Sequence, residues 1–490
     1  MLAELRLNIS TFIKSRSLSN AAWSSAEAVI YPLLMIVATP IFIQKLGVEL
    51  YGIWMLVNSI TATIGVLNVG LGDATIKFVS KYLALGDRKG LVKIIGASYS
   101  IYLALCFVAI SVSLVISFLI KNYDLFGIPK AHRLTIFFTI QIASITLGLK
   151  FIEQIFLAVF KGFERYDLAA KISIIGKISI IIVNILLAYL GYSLIIIFVS
   201  TCIVSFIYLV VEARLVYNFS GFNKFIPSYE KVYIKEIASF GVWTWALSVL
   251  SILTGQIDKF LVVSLSDIKT FAYYSVALTI FTQIHNFFSA SISWIFPIVS
   301  RKIHQNERID VFYFEVQFFF IASVTFSLIV FYFIKTPLIS FWLGPIIFGK
   351  VNHFIDAFVV LNFIMACTIA PYYFLNGSGN FKLNTIFNVI TFAARLLLIP
   401  LSYHLLGQIG LVVGLIVSSL LVIPFQIHQF YKRAIDHNDR FSGLKSLIPT
   451  VIFSALFVFE NVFIGLAVFC GVLFTLFYIY PYRRGKTANP

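Results

Sequence analysis

The stretch that decides the fold is Phe240–Leu265, FGVWTWALSVLSILTGQIDKFLVVSL, an apolar run long enough to cross a bilayer as one helix. Asp258 and Lys259 stand side by side within that run. A charged side chain at the hydrocarbon centre of a spanning helix costs roughly 2.5–3.5 kcal/mol, so such residues usually face a partner, a cavity or a pathway. The pair therefore indicates a membrane helix with a functional interior.

The composition extends this interpretation to the whole chain. Of 490 residues, 60% are hydrophobic and 12% are charged, and the mean hydropathy is +0.95, whereas a soluble domain carries about 25% charged residues. The longest polar intervals, near residues 219–235 and 431–445, are much shorter than a domain of roughly 100 residues. The sequence predicts an all-α polytopic membrane protein without a soluble domain.

Apolar runs of about 20 residues, bounded by Gly, Pro, Asn and charge clusters, predict 12–14 transmembrane helices. The predicted segments are 21–44, 51–72, 94–120, 134–160, 168–190, 193–213, 238–264, 271–297, 312–334, 353–375, 383–405, 408–430 and a shorter pair at 446–460 and 462–482. The last two are two short spans or one long or re-entrant helix.

Lys and Arg are distributed unequally between alternate loops. With these segments, 26 lie on one side and seven on the other. Because basic loops stay in the cytoplasm, we expect both termini there and an even number of spans, in a bacterial inner (plasma) membrane protein. Topology thus explains most of the net charge of +16, and no nucleic-acid partner is predicted.

No pattern of catalysis, nucleotide binding or metal binding is present. The four cysteines all lie in apolar segments without paired spacing, which argues against a disulfide framework or a metal site. A phosphate-binding GxxxxGK[ST] loop is absent, and the outer loops are short for a glycan-processing enzyme. We expect no catalytic residue, no metal and no cofactor; the protein is predicted not to be an enzyme.

Two pairs of sequence echoes indicate an internal repeat of about 215 to 220 residues. Phe78–Lys81 (FVSK) matches Ile298–Arg301 (IVSR), and an acidic residue and an arginine follow each at the same offset. Phe160–Tyr166 (FKGFERY) matches Leu375–Phe381 (LNGSGNF). Because six predicted helices separate the copies, the repeat predicts two six-helix bundles related by a twofold axis along the membrane normal.

This repeat divides the chain into three predicted parts. Residues 1–222 form an N-terminal six-helix lobe, residues 223–433 a C-terminal six-helix lobe, and residues 434–490 an additional helical hairpin. A parallel repeat with a site between its halves favours a transporter over a channel or scaffold.

Charged residues inside the predicted spans are the first candidates for that site. Those that lie away from the ends of the spans are Glu27, Lys150, Glu153, Lys177, Asp258, Lys259 and Arg395. Left in lipid, all seven would cost about 20 kcal/mol, so we expect them to face inward. The alternatives are that Lys150 and Glu153, one turn apart, neutralise each other, and that Lys177 reaches the nearby interface.

The basic members predict an anion-binding track. Depth along the helices places Lys177 in the inner leaflet, Lys150 above it, Arg395 near the midplane and Lys259 in the outer leaflet. If they converge, they suit a phosphate group, which Arg binds with two hydrogen bonds. Lys259 alternatively faces a neighbouring helix or the outer headgroups, since adjacent helical residues point about 100° apart.

The remaining polar candidates are Glu27, Glu153, Asp258, His285 and Asn388, which would line the cavity or couple transport to H⁺ or Na⁺. Asp258 continues a stripe of small polar residues on its helix and is the better cavity candidate of the Asp258–Lys259 pair. Glu27, Asp258 and His285 are equally suited to local pairing.

Several short segments occur in order along almost the whole chain: Lys45–Trp54 (KLGVELYGIW), Asn68–Gly72 (NVGLG), the Lys161–Tyr166 turn, the Asp258–Lys259 segment, Pro297 before the Ser300–Arg301 turn, and Asn376–Asn380 (NGSGN). In these segments the chain resembles the polysaccharide flippases of the multidrug/oligosaccharidyl-lipid/polysaccharide exporter superfamily, which translocate O-antigen and capsule repeat units. The motifs are diffuse, and the family has no universal catalytic signature, so the site residues above come from charge and depth.

The resemblance implies two six-helix lobes that work by alternating access. It implies a substrate of undecaprenyl-pyrophosphate-linked oligosaccharide, moved to the outer leaflet, with a polysaccharide polymerase and a chain-length regulator as possible partners. A lipid II-type flippase and a drug:cation antiporter of the same fold remain alternatives, and a membrane glycan polymerase or ligase is the alternative from another class.

Overall fold

The computed structural model describes residues 16–68, 70–123, 125–220, 227–305, 307 and 309–434, for a minority of them as backbone only. Within these ranges the chain is helical and has no β-strand. The predicted hairpin at 434–490 lies, apart from its first residue, outside the described residues, as does Cys470.

Between residues 16 and 220 the described part of the chain folds into seven α-helices, which cover the first six predicted segments. They are α1 (Arg16–Leu46), α2 (Val48–Ile64), α3 (Leu71–Ala84), α4 (Arg88–Asn122), α5 (Arg133–Gly162), α6 (Tyr166–Tyr189) and α7 (Leu194–Ser220). Short 3-10 helices at Gly65–Asn68 and Lys130–His132 precede α3 and α5.

Eight further helices follow. They are α8 (Lys231–Leu265), α9 (Ile268–Ser291), α10 (Ile295–His304), α11 (Asp310–Leu343), α12 (Pro345–Ala366), α13 (Ile369–Gly377), α14 (Phe381–Leu406) and α15 (Gly410–Ala434), with a 3-10 turn at Gly407–Ile409. Among the described residues, eight helical segments are long and apolar enough to cross a membrane. The predicted all-α polytopic fold is confirmed.

Local sequence signals account for several helix ends. The Asp87 carboxylate accepts a hydrogen bond of 2.8 Å from the backbone N–H of Gly90, which caps the start of α4. Gly47 and Gly344 separate α1 from α2 and α11 from α12 with φ of 86° and 84°. A residue with a side chain rarely adopts this backbone conformation, so the turns require glycine.

Three predicted segments are interrupted in ways that hydropathy did not indicate. Segment 51–72 is split between α2 and α3 by the 3-10 turn at Gly65–Asn68, and segment 271–297 is split at 292–294 between α9 and α10. Segment 353–375 is split at Cys367–Thr368 between α12 and α13. Each break contains a single polar side chain, namely Asn68, Ser293 or Thr368, so the mean hydropathy over a window of about 20 residues stays high and predicts a single span.

The chain divides into two compact units. The first comprises Met1–Lys259 and Ser266–Ala272, and the second comprises Phe260–Leu265 and Tyr273–Pro490. The predicted lobe boundary near residue 222 stays a prediction.

The start of α9 belongs to the first unit because it packs on α2. The Lys269 Nζ lies 2.9 Å from a Glu49 carboxylate oxygen, and the other oxygen of Glu49 lies 2.8 Å from His132 Nε2. A Cβ atom on Gly52 would come within 2.5 Å of the Ile268 carbonyl oxygen, so the close approach of the two helices needs glycine.

The internal repeat is visible as one packing contact made in both units. In the first unit, a Cβ on Gly162 would lie 2.4 Å from Val79 Cγ1, and in the second a Cβ on Gly377 would lie 2.8 Å from Val299 Cβ. Both pairs are the positions matched by the sequence echoes. Each glycine stands at the end of its helix, α5 or α13, and lets α3 or α10 pack against it.

Candidate functional site

Lys150 and Glu153, both predicted as buried charges, lie on the same side of α5. The Lys150 Nζ is 4.0 Å from a Glu153 carboxylate oxygen, and 44% of the Lys150 side chain but only 17% of the Glu153 side chain is exposed. The i,i+3 spacing brings the two together, as the sequence indicated. The contact is long for an ion pair, so the charges are only partly compensated.

Glu212 is an embedded carboxyl that sequence reasoning missed. It lies on α7 with 1% of its surface exposed, and its Oε2 oxygen has no hydrogen-bond partner among the described residues. The charges that act on it are those of Glu153 and Lys150, because α5 packs against α7. The predicted segment ended at residue 213 and Arg214 follows, which made Glu212 resemble the end of a span. The longer helix places it inside.

A polar network joins α6 and α7 further along these helices. The Asn184 side-chain amide donates to Thr201 Oγ1 at 3.0 Å, and Ser200 Oγ donates to Asn184 Oδ1 at 3.2 Å. Lys177, the predicted basic residue of α6, is half-buried. The network satisfies polar groups between helices in the way that membrane bundles use small polar side chains.

The Asp258–Lys259 pair near the end of α8 splits as expected from helical geometry. Asp258 is buried with 4% of its surface exposed, whereas Lys259 is half-buried and its Nζ donates a 3.1 Å hydrogen bond to Gln256 Oε1. Asp258 is therefore the more enclosed of the two. Both belong to the first unit.

Arg395 lies in the middle of α14 in the second unit, with 8% of its surface exposed. Asn388, two turns earlier on the same helix, is half-buried. Asn384 donates a 2.9 Å hydrogen bond to Asn376 Oδ1 at the end of α13. A buried guanidinium in a membrane helix is costly and is retained where it serves a site or a buried partner.

One lysine that the topology assigned to an outer loop lies inside a helix. Lys335 is buried in α11, where its Nζ binds the Asp356 carboxylate of α12 and lies 4.2 Å from the centre of the Tyr332 ring. The predicted span ended at residue 334, but α11 continues to Leu343 through Pro337. The pairing with Asp356 allows the charge to be buried.

An apolar groove of about 570 Å³ lies in the second unit between α9 and α11. Its walls are mainly aromatic, including Phe287, Phe288, Trp294, Phe319 and Phe320. Glu315 stands among them as the acidic residue. This groove could not be predicted from the sequence, because its aromatic residues are spread over α9, α11 and the break after α9 in an aromatic-rich chain.

The remaining predicted site residues are His285 and Glu27. His285 on α9 is half-buried and its Nδ1 has no hydrogen-bond partner, while the side chain of Glu27 lies outside the described residues. No group of three or more His, Cys, Asp or Glu side chains placed to bind a metal occurs in the described part of the chain. Convergence of the basic residues on one cavity stays a prediction.

The family model described as polysaccharide biosynthesis protein matches residues 17–303, more than half of the chain. The chain belongs to this family. The predicted resemblance is thereby confirmed at the level of the family. No curated protein matches this sequence.

Solved structures confirm the transporter fold. A structure titled lipid II flippase MurJ in an inward closed conformation matches with a TM-score of 0.68 and 14% identity, covering 94% of this chain and 99% of that one. An inward-facing multidrug resistance MATE transporter of the MOP superfamily gives 0.61 and 15%, covering 82% and 95%. A MOP superfamily transporter from Pyrococcus furiosus, titled for the reverse polarity of its binding pocket, gives 0.56 and 12%, covering 86% and 97%. At these identities the likeness concerns the fold alone.

Proposed function

We propose that the protein is a flippase that moves undecaprenyl-pyrophosphate-linked oligosaccharide repeat units across the bacterial inner membrane by alternating access. The observation that carries the proposal is the match of residues 17–303 to a polysaccharide biosynthesis family in a chain with a transporter fold. A membrane transporter that serves polysaccharide synthesis must move a precursor or a product. A lipid-linked repeat unit is a precursor that is assembled on one leaflet and used on the other.

The pyrophosphate of such a substrate needs a cationic binding group within the membrane. Arg395 supplies a buried guanidinium in the middle of α14, and guanidinium binds phosphate oxygens with two parallel hydrogen bonds. In this proposal Arg395 binds the pyrophosphate, and Lys150, Lys177 and Lys259 attract it along its path. Asn388 and Asp258 are proposed to line the cavity for the sugar hydroxyls.

The lipid tail needs an apolar surface beside the path of the headgroup. The aromatic groove between α9 and α11 provides about 570 Å³ of such space. This volume is within the usual range for a site that holds part of a small molecule. We propose that the groove holds a section of the polyprenyl chain while the headgroup crosses.

The experiment is depletion of the protein in a strain whose surface polysaccharide depends on it. We expect repeat units to accumulate on the inner leaflet, where an impermeant sugar-binding lectin added to spheroplasts does not reach them. Re-expression should restore lectin binding. Single repeat units exposed on the outer leaflet during depletion would contradict the proposal and indicate a polymerase or ligase.

Lipid II-type flipping is the second candidate, because the lipid II flippase fold covers 94% of this chain. Replacing the labelled repeat unit by lipid II in proteoliposomes separates the two substrates. A drug:cation antiporter would instead give resistance to cationic compounds on overexpression, without any effect on lipid-linked sugars. Association with a polysaccharide polymerase and a chain-length regulator is proposed as the context for the released repeat unit.

A further inference from the structure

We propose that Glu212 and Glu153, together with Lys150, form a proton-binding site between α5 and α7 that couples transport to a proton gradient. The inference rests on the proposed transport function. It assigns the coupling ion and its position, which the proposal above leaves open.

The first step is the burial of Glu212. Only 1% of its surface is exposed, and within the described ranges its buried Oε2 oxygen has no hydrogen-bond partner. Buried polar atoms are nearly always paired, so an orphan carboxylate oxygen indicates a missing ligand. A carboxyl group in such a place either holds a proton or binds a cation.

The second step is the position of its neighbours. Glu153 and Lys150 are the charged groups that act on the Glu212 carboxyl. In the described part of the chain the helices packed on α7 are α5 and α6; α6 carries Asp167, Lys171 and Lys177, but the charges that act on Glu212 are those of α5. The site is therefore defined by two carboxyl groups and one ammonium group.

Depth along the helices agrees with this grouping. Two short connections join α5 to α6 and α6 to α7, so α5 and α7 run in the same direction. Glu153 lies nine residues before the end of α5, and Glu212 lies eight residues before the end of α7. At 1.5 Å per residue, both lie about 12–14 Å inside their helix ends.

The net charge of the cluster indicates which cation it binds. With all three groups ionised the cluster carries one net negative charge inside a candidate membrane span, which is costly. One added proton makes it neutral. A sodium ion prefers several oxygen ligands in the manner of other hard cations, and here the Lys150 ammonium would repel it.

A second orphan group extends the same face of α7. Ser205 lies seven residues, or two turns, before Glu212, with 3% of its surface exposed, and in the part of the chain that the structure describes its Oγ also has no hydrogen-bond partner. Residues at this spacing share a helix face. The hydroxyl provides a polar position deeper in the membrane from which a proton would approach Glu212.

The direct test is infrared difference spectroscopy of the purified full-length protein. A protonated carboxyl gives a carboxylic acid C=O stretching band, and we expect one such band to be lost in Glu212→Gln. Glu153→Gln should lose it as well, because Lys150 and an ionised Glu212 then balance without a proton. Glu153 is less buried, so this variant tests the site even if Glu212→Gln fails to fold. A band that persists in either variant overturns the site.

The coupling test uses proteoliposomes with a labelled lipid-linked repeat unit and an imposed pH gradient. The gradient should accelerate translocation by the parent protein and by Glu307→Gln, an exposed carboxyl control, but not by Glu212→Gln. Acceleration retained in Glu212→Gln, or acceleration by sodium at constant pH, would overturn proton coupling at this site. If the parent protein fails to translocate the substrate while the infrared band behaves as expected, the proposed function fails and the proton site stands.

Discussion

Each of the two compact units contains an equivalent glycine–valine packing contact, but the units differ in their buried charges. Gly162 meets Val79 in the first unit, and Gly377 meets Val299 in the second. The offset of roughly 215 residues that relates these glycines takes Lys150, Glu153 and Glu212 to Met365, Thr368 and Ile427. The glycine–valine contact is therefore present in both units, whereas the three charged residues are present only in the first.

Arg395 is the reverse case, since here the second unit has a charged residue and the first does not. The corresponding position in the first unit is Ile180, and that of Lys177 in the second unit is Phe392. The backbone differs as well, since α5 is continuous where α12 and α13 are separated at Cys367–Thr368. Glu153 and Glu212 of the first unit therefore have no carboxyl counterpart in the second unit, and Arg395 of the second unit has no basic counterpart in the first.

The largest expected effect is that of Arg395→Ala. Hydrogen bonds to a charged group contribute about 1.5–3 kcal/mol, so loss of the pyrophosphate contact should lower translocation about 10- to 100-fold. The measurement is the rate of repeat-unit exposure per folded protein. Lys382→Ala removes an exposed charge at the start of the same helix and serves as the control. Normal translocation by Arg395→Ala would exclude Arg395 from the binding site.

The glycine–valine contact of either unit should be disrupted when its glycine receives a side chain. Gly162→Ala and Gly377→Ala should each destabilise the protein by about 1–3 kcal/mol, because the new Cβ overlaps a valine. The check is the thermal unfolding midpoint in detergent. Gly349→Ala, where a Cβ meets no atom within 4 Å, is the matched control. Unchanged unfolding midpoints for both glycine variants would show that each contact has room for a Cβ atom.

A second substitution that shortens the valine should restore stability to a different extent in the two units. Val79→Ala should restore part of the stability of Gly162→Ala, because it removes the Val79 Cγ1 contact at 2.4 Å and leaves the Val79 Cβ contact at 2.7 Å. Val299→Ala should restore less in Gly377→Ala, since the new Cβ also lies 3.0 Å from the Phe296 backbone carbonyl. The coupling energy from each double-mutant cycle measures this. Equal rescue would mean that the Phe296 backbone moves aside.

The acidic residues that follow the first echo should differ in importance. Asp87 caps α4, and Asp87→Ala should cost about 0.5–2 kcal/mol in unfolding free energy. Its counterpart Glu307 is exposed and pairs with Lys302 at 2.6 Å, so Glu307→Ala should cost less than Asp87→Ala. Denaturation of the two variants under identical conditions gives the comparison. A larger loss for Glu307→Ala would contradict it.

The smallest effect is the pH dependence of the Glu307 pair. The hydrogen bond from Lys302, and then its charge, hold the pKa of Glu307 below its ordinary value of 4.5. A lowered pKa in the folded state stabilises the protein above pH 4.5, and this contribution is lost as the pH falls through the lowered value. The stability difference between the parent and Glu307→Gln should shrink with acidification. A difference that grows on acidification would contradict this assignment.

Much of the fold could be predicted from the sequence because a bilayer requires long apolar runs. Twelve predicted segments coincide with described helices, and the echo around Gly162 and Gly377 marked a real packing contact. The helix breaks at Gly65–Asn68 and Cys367–Thr368 were not predictable from hydropathy, since one polar side chain barely lowers the mean over a window as long as a span. Lys150 and Glu153 were found because charges interrupt an apolar run. Glu212 was not, because it lies two residues before Arg214 at the apparent end of a span.

The sequence by itself determined that this is an all-helical membrane protein with a repeated plan, because hydropathy, helix length and echo spacing are properties of the linear chain. Only the tertiary structure decided which charges meet. Glu212 lies 59 residues from Glu153 along the chain, and no periodicity relates them. Their proximity depends on the packing of α7 against α5, which exists only when the bundle has formed.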